Sequence, residues 1–237
     1  MKPTFIISLT LLVFTSLISS CSLFCKKGDG SIITEKRTVT EFDELDIGGQ
    51  AVVFLEQGSP ASVSIKIDSN LMEHIKTEVS GMKLKIKEDK CLEEITEFEV
   101  YITTANISKL YIDGAVKIKG ENTIRGEKLY IKNESSGEVT LNLEVDDLET
   151  VTKGSGLLKL MGRVLNFDIE VEAAGSVDAF GLLAKDVDAD VSGAGTCKIN
   201  VSEEFDGNVS GSGKIYYKGN PKKVQTDASG SGTIQAK

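Results

Sequence analysis

The chain has 237 residues, a formal net charge of −9 and 23 glycines against 3 prolines. An acidic chain of this kind lacks the basic face that nucleic-acid binding requires, so nucleic acid is excluded as a partner. Its sequence contains no tryptophan, and its apolar content comes mainly from Val, Ile and Leu, which favours β-strands over helix bundles.

The first twenty residues have the pattern of a secretory signal. Met1 and Lys2 form a short positive start, and residues 5–18 are apolar apart from a few Ser and Thr. This stretch is too short to span a bilayer comfortably, and the sequence ISSC at residues 18–21 resembles the bacterial lipoprotein box. The resemblance makes Cys21 the lipid-modified first residue of the mature protein. The alternative is an ordinary cleaved signal with an incidental cysteine.

Lipid on Cys21 predicts a protein of the cell envelope whose link to the membrane is covalent, because an acidic chain has no electrostatic attraction to anionic lipid. We expect residues 1–20 to be the signal peptide and residues 21–34 a lipidated, flexible tether. Ser22 stands where enteric lipoproteins carry a retention aspartate, which favours the outer membrane. Whether the protein faces the periplasm or the cell surface is left open.

Three further cysteines are Cys25, Cys91 and Cys197. Their spacings fit no metal-site pattern. Because Cys25 falls in the predicted tether, Cys91 and Cys197 form the one internal disulfide to consider. Single buried thiols are common in apolar β cores and are the favoured alternative.

Residues 35–108 are predicted to form a less regular N-terminal β subdomain. The sequence ELDIGGQAVVFLEQG at residues 44–58 indicates a strand, a glycine turn and a second strand. The segment that follows Ser69 predicts a short helical turn with Leu71, Met72 and Ile75 on one face. We expect this subdomain to hold irregular coils of the repeat described next and to cap one end of it.

From residue 109 onward, clusters of small residues recur at an even spacing. Aligned on the last residue before the apolar alternation resumes, they are separated by 21, 19, 19, 20, 18 and 19 residues, at Val116, Gly137, Gly156, Gly175, Gly195, Gly213 and Gly232. Between the clusters apolar residues occupy every second position, which is the period of a strand. The sequence therefore predicts an all-β fold, with a β-solenoid of about 19 residues per turn over residues 109–237.

The Ser-Gly-Ser-Gly clusters are predicted to be sharp bends of this coil, where stacked positions leave room only for small side chains. Catalytic and nucleotide-binding motifs are excluded, because the residues that they require are missing from the necessary positions. A phosphate loop ending at Lys214 would need glycine at Asn208 and Ser or Thr at Ile215, and a dinucleotide fingerprint would need glycine at Tyr216. A nucleophile elbow would need glycine where Ser210 stands.

Candidate metal ligands are few. Asp186, Asp188 and Asp190 alternate with apolar residues and therefore share one strand face, an arrangement that suits an oxygen-preferring cation. A solvated outer face is the favoured interpretation. His74 is the single histidine and has no second histidine or thiol beside it in sequence, so it makes a poor ligand or general base. We predict no metal site, no cofactor and no catalytic residue.

A polysaccharide-active enzyme is the alternative that a β-helix raises, because such folds can hold paired carboxylates beside a sugar. Acidic residues are plentiful here but diffuse, for example Glu144, Asp146 and Asp147. The arginines that could hold a sugar acid are Arg37, Arg125 and Arg163. In the pair Tyr216–Tyr217, strand alternation places one ring in the core and leaves the other on the surface as a candidate contact.

The arrangement resembles the head GIN domain family of auto-transporter adhesins, which is common in lipoproteins of Bacteroidetes-type bacteria. The resemblance covers roughly residues 36–237. It rests on Arg37 with Phe42 and Ile47, on EQG at residues 56–58, GMKLKI at residues 81–86, the serial small-residue clusters and IYYKGNP at residues 215–221. The family implies a right-handed parallel β-helix-like repeat and an envelope location, and it brings no catalytic residues.

Three functions remain open at this point. The first is a non-catalytic binding or adhesion scaffold, which predicts one patterned face on the solenoid and an extracellular glycan or protein surface as partner. The second is a purely structural envelope module, which predicts a uniformly charged surface. The third is an enzyme, which predicts a cleft with convergent carboxylates. The sequence does not define an oligomeric state.

Overall fold

The computed structural model describes residues 25–237 and is 69% strand. Ten strands of this part precede the regular repeat: β1 (Lys26–Lys27), β2 (Ile32–Arg37), β3 (Glu44–Ile47), β4 (Val52–Gln57), β5 (Ser62–Asp68), β6 (Ile75–Ser80), β7 (Lys83–Glu88), β8 (Leu92–Glu93), β9 (Phe98–Thr104) and β10 (Lys109–Ile112). A 3-10 turn at Met72–His74 lies where the sequence predicts a helical turn. Among residues 25–237, no helix has the length and apolar character to cross a bilayer.

The remaining strands build the repeat: β11 (Lys117–Asn133), β12 (Glu138–Thr152), β13 (Leu157–Val171), β14 (Ser176–Val191), β15 (Thr196–Gly211), β16 (Lys214–Gly219), β17 (Lys223–Gly230) and β18 (Thr233–Ala236). With the coil before them they form a parallel β-solenoid of about 7 turns of roughly 19 residues. The all-β solenoid predicted from the spacing of the small-residue clusters is confirmed.

Each turn pairs in parallel with the one before it, with local register shifts such as that between Ala179 and Leu183. Val139 in β12 pairs with Ile118 in β11 and with Leu158 in β13, and all three side chains are buried. Because side chains alternate between the two faces of a strand, the inward residues of successive turns stack in columns. One column, whose members are all between 0 and 4% exposed, consists of Leu129, Leu148, Phe167, Val187 and Phe205.

The small-residue clusters are the corners of the coil, as predicted, and their glycines are fixed by the neighbouring turn. A Cβ atom added to Gly195 would lie 2.6 Å from the carbonyl oxygen of Gly175, and one added to Gly193 would lie 2.5 Å from that of Ala173. The backbone ladder continues through these corners, since the N–H of Thr196 donates to Gly175. The residue between the two glycines, Ala194 here, is exposed. Bulk is therefore excluded at the glycines, whereas the intervening position only faces solvent.

The N-terminal strands extend the solenoid and close its first end. β3 pairs in parallel with β10, and β10 and β4 both pair in parallel with β11, so strand pairing passes residue 109 without a break. Antiparallel strands then cover this end, with β2 on β5, β5 on β9 and β6 on β7. The inward residues of β5 are consequently buried: Val63, Ile65 and Ile67 are each 0 or 1% exposed.

The predicted flexible tether at residues 21–34 is wrong for its described part. Residues 25–34 hold β1 and the start of β2, and β1 pairs in parallel with β8. The N–H of Lys26 also donates to the carbonyl of Cys91 at 2.8 Å. Residue 25 is thus part of the fold, because these backbone hydrogen bonds attach the chain to the strand that follows Cys91.

The cysteine pairing considered from the sequence is also wrong. Cys25 forms a disulfide with Cys91, with 4.6 Å between their Cα atoms. Parallel pairing of β1 with β8 brings these two residues together. Cys197 lies on an inward position of β15, is fully buried, and is the free cysteine of residues 25–237. Burial raises the pKa of its thiol to about 12, which keeps it protonated and unreactive.

Candidate functional site

Carboxylates form columns on one outer face of the solenoid. The parallel register places Asp168, Asp188 and Asp206 directly beside one another on β13, β14 and β15. Adjacent parallel strands lie about 4.8 Å apart, so these side chains form a closely spaced row. The row begins at Glu149 on β12 and ends at Gln225 on β17.

Two flanking columns widen this row into a surface that we call the acidic face. On one side the register aligns Asp147, Asn166, Asp186 and Glu204, and on the other side it aligns Glu170 with Asp190. The acidic face is defined by the carboxylates of Asp147, Glu149, Asp168, Glu170, Asp186, Asp188, Asp190, Glu204 and Asp206. Inward neighbours such as Phe167, Val187 and Phe205 hold it in place, because they alternate with these acids and pack in the core.

Partners reach the edges of the acidic face but not its centre. Glu149 lies 3.7 Å from Lys128, Asp186 lies 3.2 Å from Lys185, and Glu204 lies 3.1 Å from Lys223. Within residues 25–237, no salt bridge reaches Asp168, Asp188 or Asp190. The centre of the face therefore carries uncompensated negative charge.

The pKa of Asp188 reflects this uncompensated charge. Partial burial raises its pKa above the ordinary value, and the neighbouring Asp190, Asp206 and Asp168 raise it further. A groove of about 430 Å³ runs over the same residues, from Asp147 and Asn166 at one margin to Lys223 and Gln225 at the other. The groove is acidic along its floor and cationic only at its far end.

The structure places Asp186, Asp188 and Asp190 together on the outer face of β14, as the alternation predicts. In residues 25–237 no group of three His, Cys, Asp or Glu side chains converges closely enough to hold a metal ion. The face therefore presents separate charges in rows.

The other acidic candidates serve to tie turns together. Glu144 lies 2.9 Å from Nε of Arg125 and 3.6 Å from a guanidinium nitrogen of Arg163, on the turns before and after it. Asp147 accepts a hydrogen bond from the amide of Asn166 at 2.7 Å. The third arginine, Arg37, pairs with Glu35 at 2.8 Å. It lies on β2, which pairs with β5 at the N-terminal end of the solenoid, whereas the acidic face lies on β12 to β15. None of these contacts places an acid opposite an arginine across a cleft.

His74 is a structural residue. It is 6% exposed, and its Nδ1 lies 3.0 Å from Oδ1 of Asp89. Lys76 reaches the other oxygen of Asp89 at 3.0 Å. Hydrogen bonds from Lys76 and from His74 hold the pKa of Asp89 below its ordinary value. This contact joins the 3-10 turn to the end of β7.

The two tyrosines of β16 divide as the alternation predicts. Tyr217 packs against the core, with its ring centroid 5.0 Å from that of Phe205. Tyr216 faces outward, and Nζ of Lys237 lies 4.6 Å from its ring centroid. Tyr216 is thus available at the surface, on the opposite side of the strand from the core.

Sequence reasoning missed the columns and the aromatic pairs beside them. Tyr111 and Tyr130 form an edge-to-face pair with centroids 5.9 Å apart, next to the start of the acidic row. The two rings are diagonal neighbours, because Tyr130 pairs with Lys109 and Tyr111 pairs with Lys132 across an offset of 21 residues. An offset of 19 residues relates Glu149 to Asp168. Adding the spacing of each turn to the outward acids would have revealed the acidic row, but not the tyrosine pair.

The site residue predicted for lipid modification, Cys21, lies outside the described residues. The nearest described cysteine is Cys25, which the disulfide fixes to Cys91. Cys21 therefore stays a prediction.

The fold and this face define a parallel β-solenoid protein with a filled core and a charge-patterned outer face. A family model described as "Putative auto-transporter adhesin, head GIN domain" matches residues 41–221. The chain belongs to this family, which confirms the resemblance seen in the sequence.

Solved structures show the same fold. A putative adhesin from Bacteroides fragilis is 25% identical with a TM-score of 0.86, over 90% of this chain and 100% of that one. A putative lipid binding protein from Parabacteroides distasonis is 23% identical with a TM-score of 0.75, over 90% and 99% of the two chains. A putative adhesin from Parabacteroides merdae is 23% identical with a TM-score of 0.74, over the same shares. None of the curated proteins matches this chain.

Proposed function

We propose that this protein is a non-catalytic binding scaffold of the cell envelope, adhesive in function, that binds a basic protein surface through the acidic face. The observation that carries the proposal is the central row of Asp168, Asp188 and Asp206, whose charges are left without cationic partners. The family description and the adhesin relatives support a binding role in general.

Charge segregation favours binding over a purely structural role. A structural module has no need to leave like charges adjacent, because like charges on neighbouring strands are destabilising. Elsewhere on the solenoid, acids and bases alternate across strands, as in the pairs Lys117–Glu138 at 3.6 Å and Lys198–Asp178 at 3.2 Å. The uncompensated charge of the acidic face is therefore better explained by binding of a cationic partner than by a structural role.

The geometry of the acidic face also supports a non-catalytic role. Glycosidases need two carboxyl groups that flank one bond, held at different pKa values. The acids of this face project from one sheet surface in parallel rows. Such rows attract a cationic surface along their length, which adds to association rate and specificity.

A basic protein surface fits better than a glycan. Acidic polysaccharides would be repelled by the row, and neutral sugars are held mainly by stacking on aromatic rings and by paired hydrogen bonds. Lysine and arginine side chains on an extended segment can meet successive rungs about 4.8 Å apart. We therefore take the protein surface, rather than the glycan, as the partner class.

The envelope location is proposed through lipid on Cys21. Only three residues separate Cys21 from Cys25, so the two Cα atoms lie at most about 14 Å apart. The disulfide to Cys91 would then hold the N-terminal end of the solenoid close to the anchor. Two or more acyl chains give stable attachment to a membrane, for which we favour the outer membrane.

The binding proposal is tested with residues 25–237, the part that the structure describes, since the solved relatives match 90% of this chain over 99–100% of their own length. An oligolysine peptide and an array of matrix proteins and glycans serve as probes. We compare the wild type with Asp168→Asn/Asp188→Asn/Asp206→Asn and with a matched control, Glu56→Gln/Glu138→Gln/Asp178→Asn, which removes the same charge from other strand faces.

We expect the acidic-face variant to weaken oligolysine binding about tenfold or more at low salt, and to lose the array signals on basic matrix proteins. The control should retain both. Equal losses in the two variants would mean that only net charge matters, and an array without signals would favour the structural module. The anchor is tested separately: Cys21→Ala should abolish incorporation of labelled palmitate and release the protein from membranes, and unchanged labelling would refute it.

A further inference from the structure

The last coil of the solenoid has an open core. In the inward column that starts at Leu129, Val187 is 4% exposed and Phe205 is 1% exposed, but Val224 on β17 is 42% exposed. All eight residues of β17 are exposed. On the other wall, Ile215 is fully buried while its register partner Ile234 on β18 is only half-buried.

The backbone of this coil is open as well. Within residues 25–237, β17 pairs only with β15 and β18 pairs only with β16. Alternate residues of β17 therefore direct N–H and C=O groups away from the sheet, which is the template to which another strand adds. We call the exposed side of β17 and β18 the C-terminal rim.

The sequence of β17 is complementary to itself. Its outward residues include Lys223, Gln225 and Asp227. In an antiparallel pair of two β17 strands centred on Gln225, each Lys223 lies opposite Asp227 of the second copy, and Val224 lies opposite Thr226. A register centred on Asp227 would oppose two carboxylates, and one centred on Thr226 would leave each Lys223 opposite Ser229. Cross-strand pairs of opposite charge and of β-branched residues favour the register centred on Gln225.

The other end of the solenoid has edge strands, β2 and β6, but no open core to match this rim. There the antiparallel strands cover the core, and the inward residues of β5 are buried. Two open rims can instead meet about a two-fold axis, which closes the assembly at two copies.

We propose that the C-terminal rim is a self-association surface, and that a second copy of this chain pairs with it through antiparallel β17 strands centred on Gln225. The dimer is an end-to-end rod with one continuous core, which buries Val224 and Ile234 of both copies. It does not depend on lipid. The rim adjoins the end of the acidic face, where Lys223 lies 3.1 Å from Glu204 and Gln225 donates to Asp206 at 3.2 Å, but the proposed Lys223–Asp227 pairing uses none of the carboxylates of that face. With the anchor on Cys21 proposed above, the two anchored ends lie at opposite ends of the rod, so that the pair joins two facing membranes.

The charge pairing is tested by the mass of residues 25–237 in sedimentation equilibrium over micromolar to millimolar concentrations. We expect a monomer–dimer equilibrium for the wild type. Lys223→Asp or Asp227→Lys alone should raise the dissociation constant about tenfold, and the double variant should restore it. Rescue separates pairing between copies from a role within one copy, because Lys223 and Asp227 are four residues apart on the same strand, and the double variant does not restore the contact of residue 223 with Glu204 of its own copy. A monomer at every concentration, or single variants as dimeric as the wild type, would overturn the proposal.

The register is tested by oxidative cross-linking of Gln225→Cys, with Ser229→Cys as the matched control on the same strand. Directly opposed residues of an antiparallel pair have Cα atoms about 4.5–5.5 Å apart, within the range of a disulfide. The two copies of residue 229 would be about 27 Å apart in this register. We expect a covalent dimer for Gln225→Cys alone. Equal yields from both variants would refute the register.

Discussion

Gly156 lies so close to Gly137 of the preceding turn that a Cβ atom on Gly156 would be 2.5 Å from the carbonyl oxygen of Gly137. The same atom would be 2.2 Å from the side-chain amide of Asn133. Asn133 is buried and donates a hydrogen bond to the carbonyl of Gly137 at 2.9 Å, so its side chain cannot move away from an added methyl group without breaking this bond. The corner is therefore fixed by the contact between turns.

We expect Gly156→Ala to lower the free energy of unfolding by about 1–3 kcal/mol, because the methyl group must push apart two hydrogen-bonded turns. Urea unfolding followed by circular dichroism measures the change. Gly126→Ala is the matched control, since a Cβ atom there meets nothing within 4 Å. Equal effects at both positions would show that glycine at the corner is not required by stacking.

The disulfide should stabilise the N-terminal end of the solenoid. It closes a loop between Cys25 and Cys91, which are 66 residues apart, and so restricts the unfolded chain. We expect Cys91→Ser to lower the free energy of unfolding by about 2–4 kcal/mol. Denaturant unfolding of residues 25–237 with and without reductant measures this. Reduced wild type should match the variant, and a variant as stable as the oxidised protein would contradict the prediction.

Periodicity predicts one part of this molecule well. The spacing of the clusters from Val116 to Gly232 predicts the coil, its turn length and the role of its corners. Alternation also predicts that one of Tyr216 and Tyr217 packs in the core, and the structure shows that this is Tyr217. Both patterns follow from steric rules that repeat in every turn, so each turn supplies a further observation of them.

Pairings outside the repeat were not predictable in the same way. Cys25 lies in a short, charged segment without alternation, and the strand that follows it, β1, has only two residues. Its attachment to β8 depends on how the antiparallel strands fold back over the first coil, and the sequence shows no period there. The acidic face fails for a different reason: the sequence shows each acid on its own strand, but the row of Asp168, Asp188 and Asp206 exists only after the turns are stacked.

Neutralising the centre of the acidic face should stabilise the fold. The pKa of Asp188 is raised by partial burial and by its acidic neighbours, so the charged form is less favourable in the folded chain than in the unfolded chain. The penalty is therefore present at pH values above the folded pKa and disappears as pH falls below the unfolded pKa. We expect Asp188→Asn to raise the free energy of unfolding by about 0.5 kcal/mol at neutral pH and low salt.

Thermal unfolding at several salt concentrations tests this expectation, with Asp178→Asn as control because Asp178 is paired with Lys198 at 3.2 Å. The gain for Asp188→Asn should shrink at high salt and vanish at acid pH, while the control should show no gain. A loss of stability in Asp188→Asn would show that this carboxylate is favourably held. The expected gain in stability, together with the loss of oligolysine binding, would mark Asp188 as a residue kept for binding.

Asp68 connects three segments at the closed end of the solenoid. Its side chain is fully buried and accepts hydrogen bonds from the N–H of Gly30 at 2.8 Å and from the N–H and hydroxyl of Thr96, both at 2.9 Å. Burial by itself raises the pKa of Asp68, but the hydrogen bonds from Thr96 and Gly30 outweigh it and leave the pKa below the ordinary value. The carboxylate is thus favoured in its charged form.

We expect Asp68→Asn to lower the free energy of unfolding by about 2 kcal/mol at neutral pH, because an amide nitrogen replaces one acceptor oxygen and leaves a donor unpaired. Since the folded pKa lies below the unfolded one, the contribution of Asp68 is complete above the unfolded pKa, near 3.8, and is lost as pH falls through the folded pKa. Urea unfolding between pH 7 and acid pH should therefore show the wild type and Asp68→Asn converging at the acid end. Glu127→Gln, at an exposed position, should follow the wild type throughout. A constant difference between wild type and Asp68→Asn across this range would show that the variant acts through packing instead of the charge on Asp68.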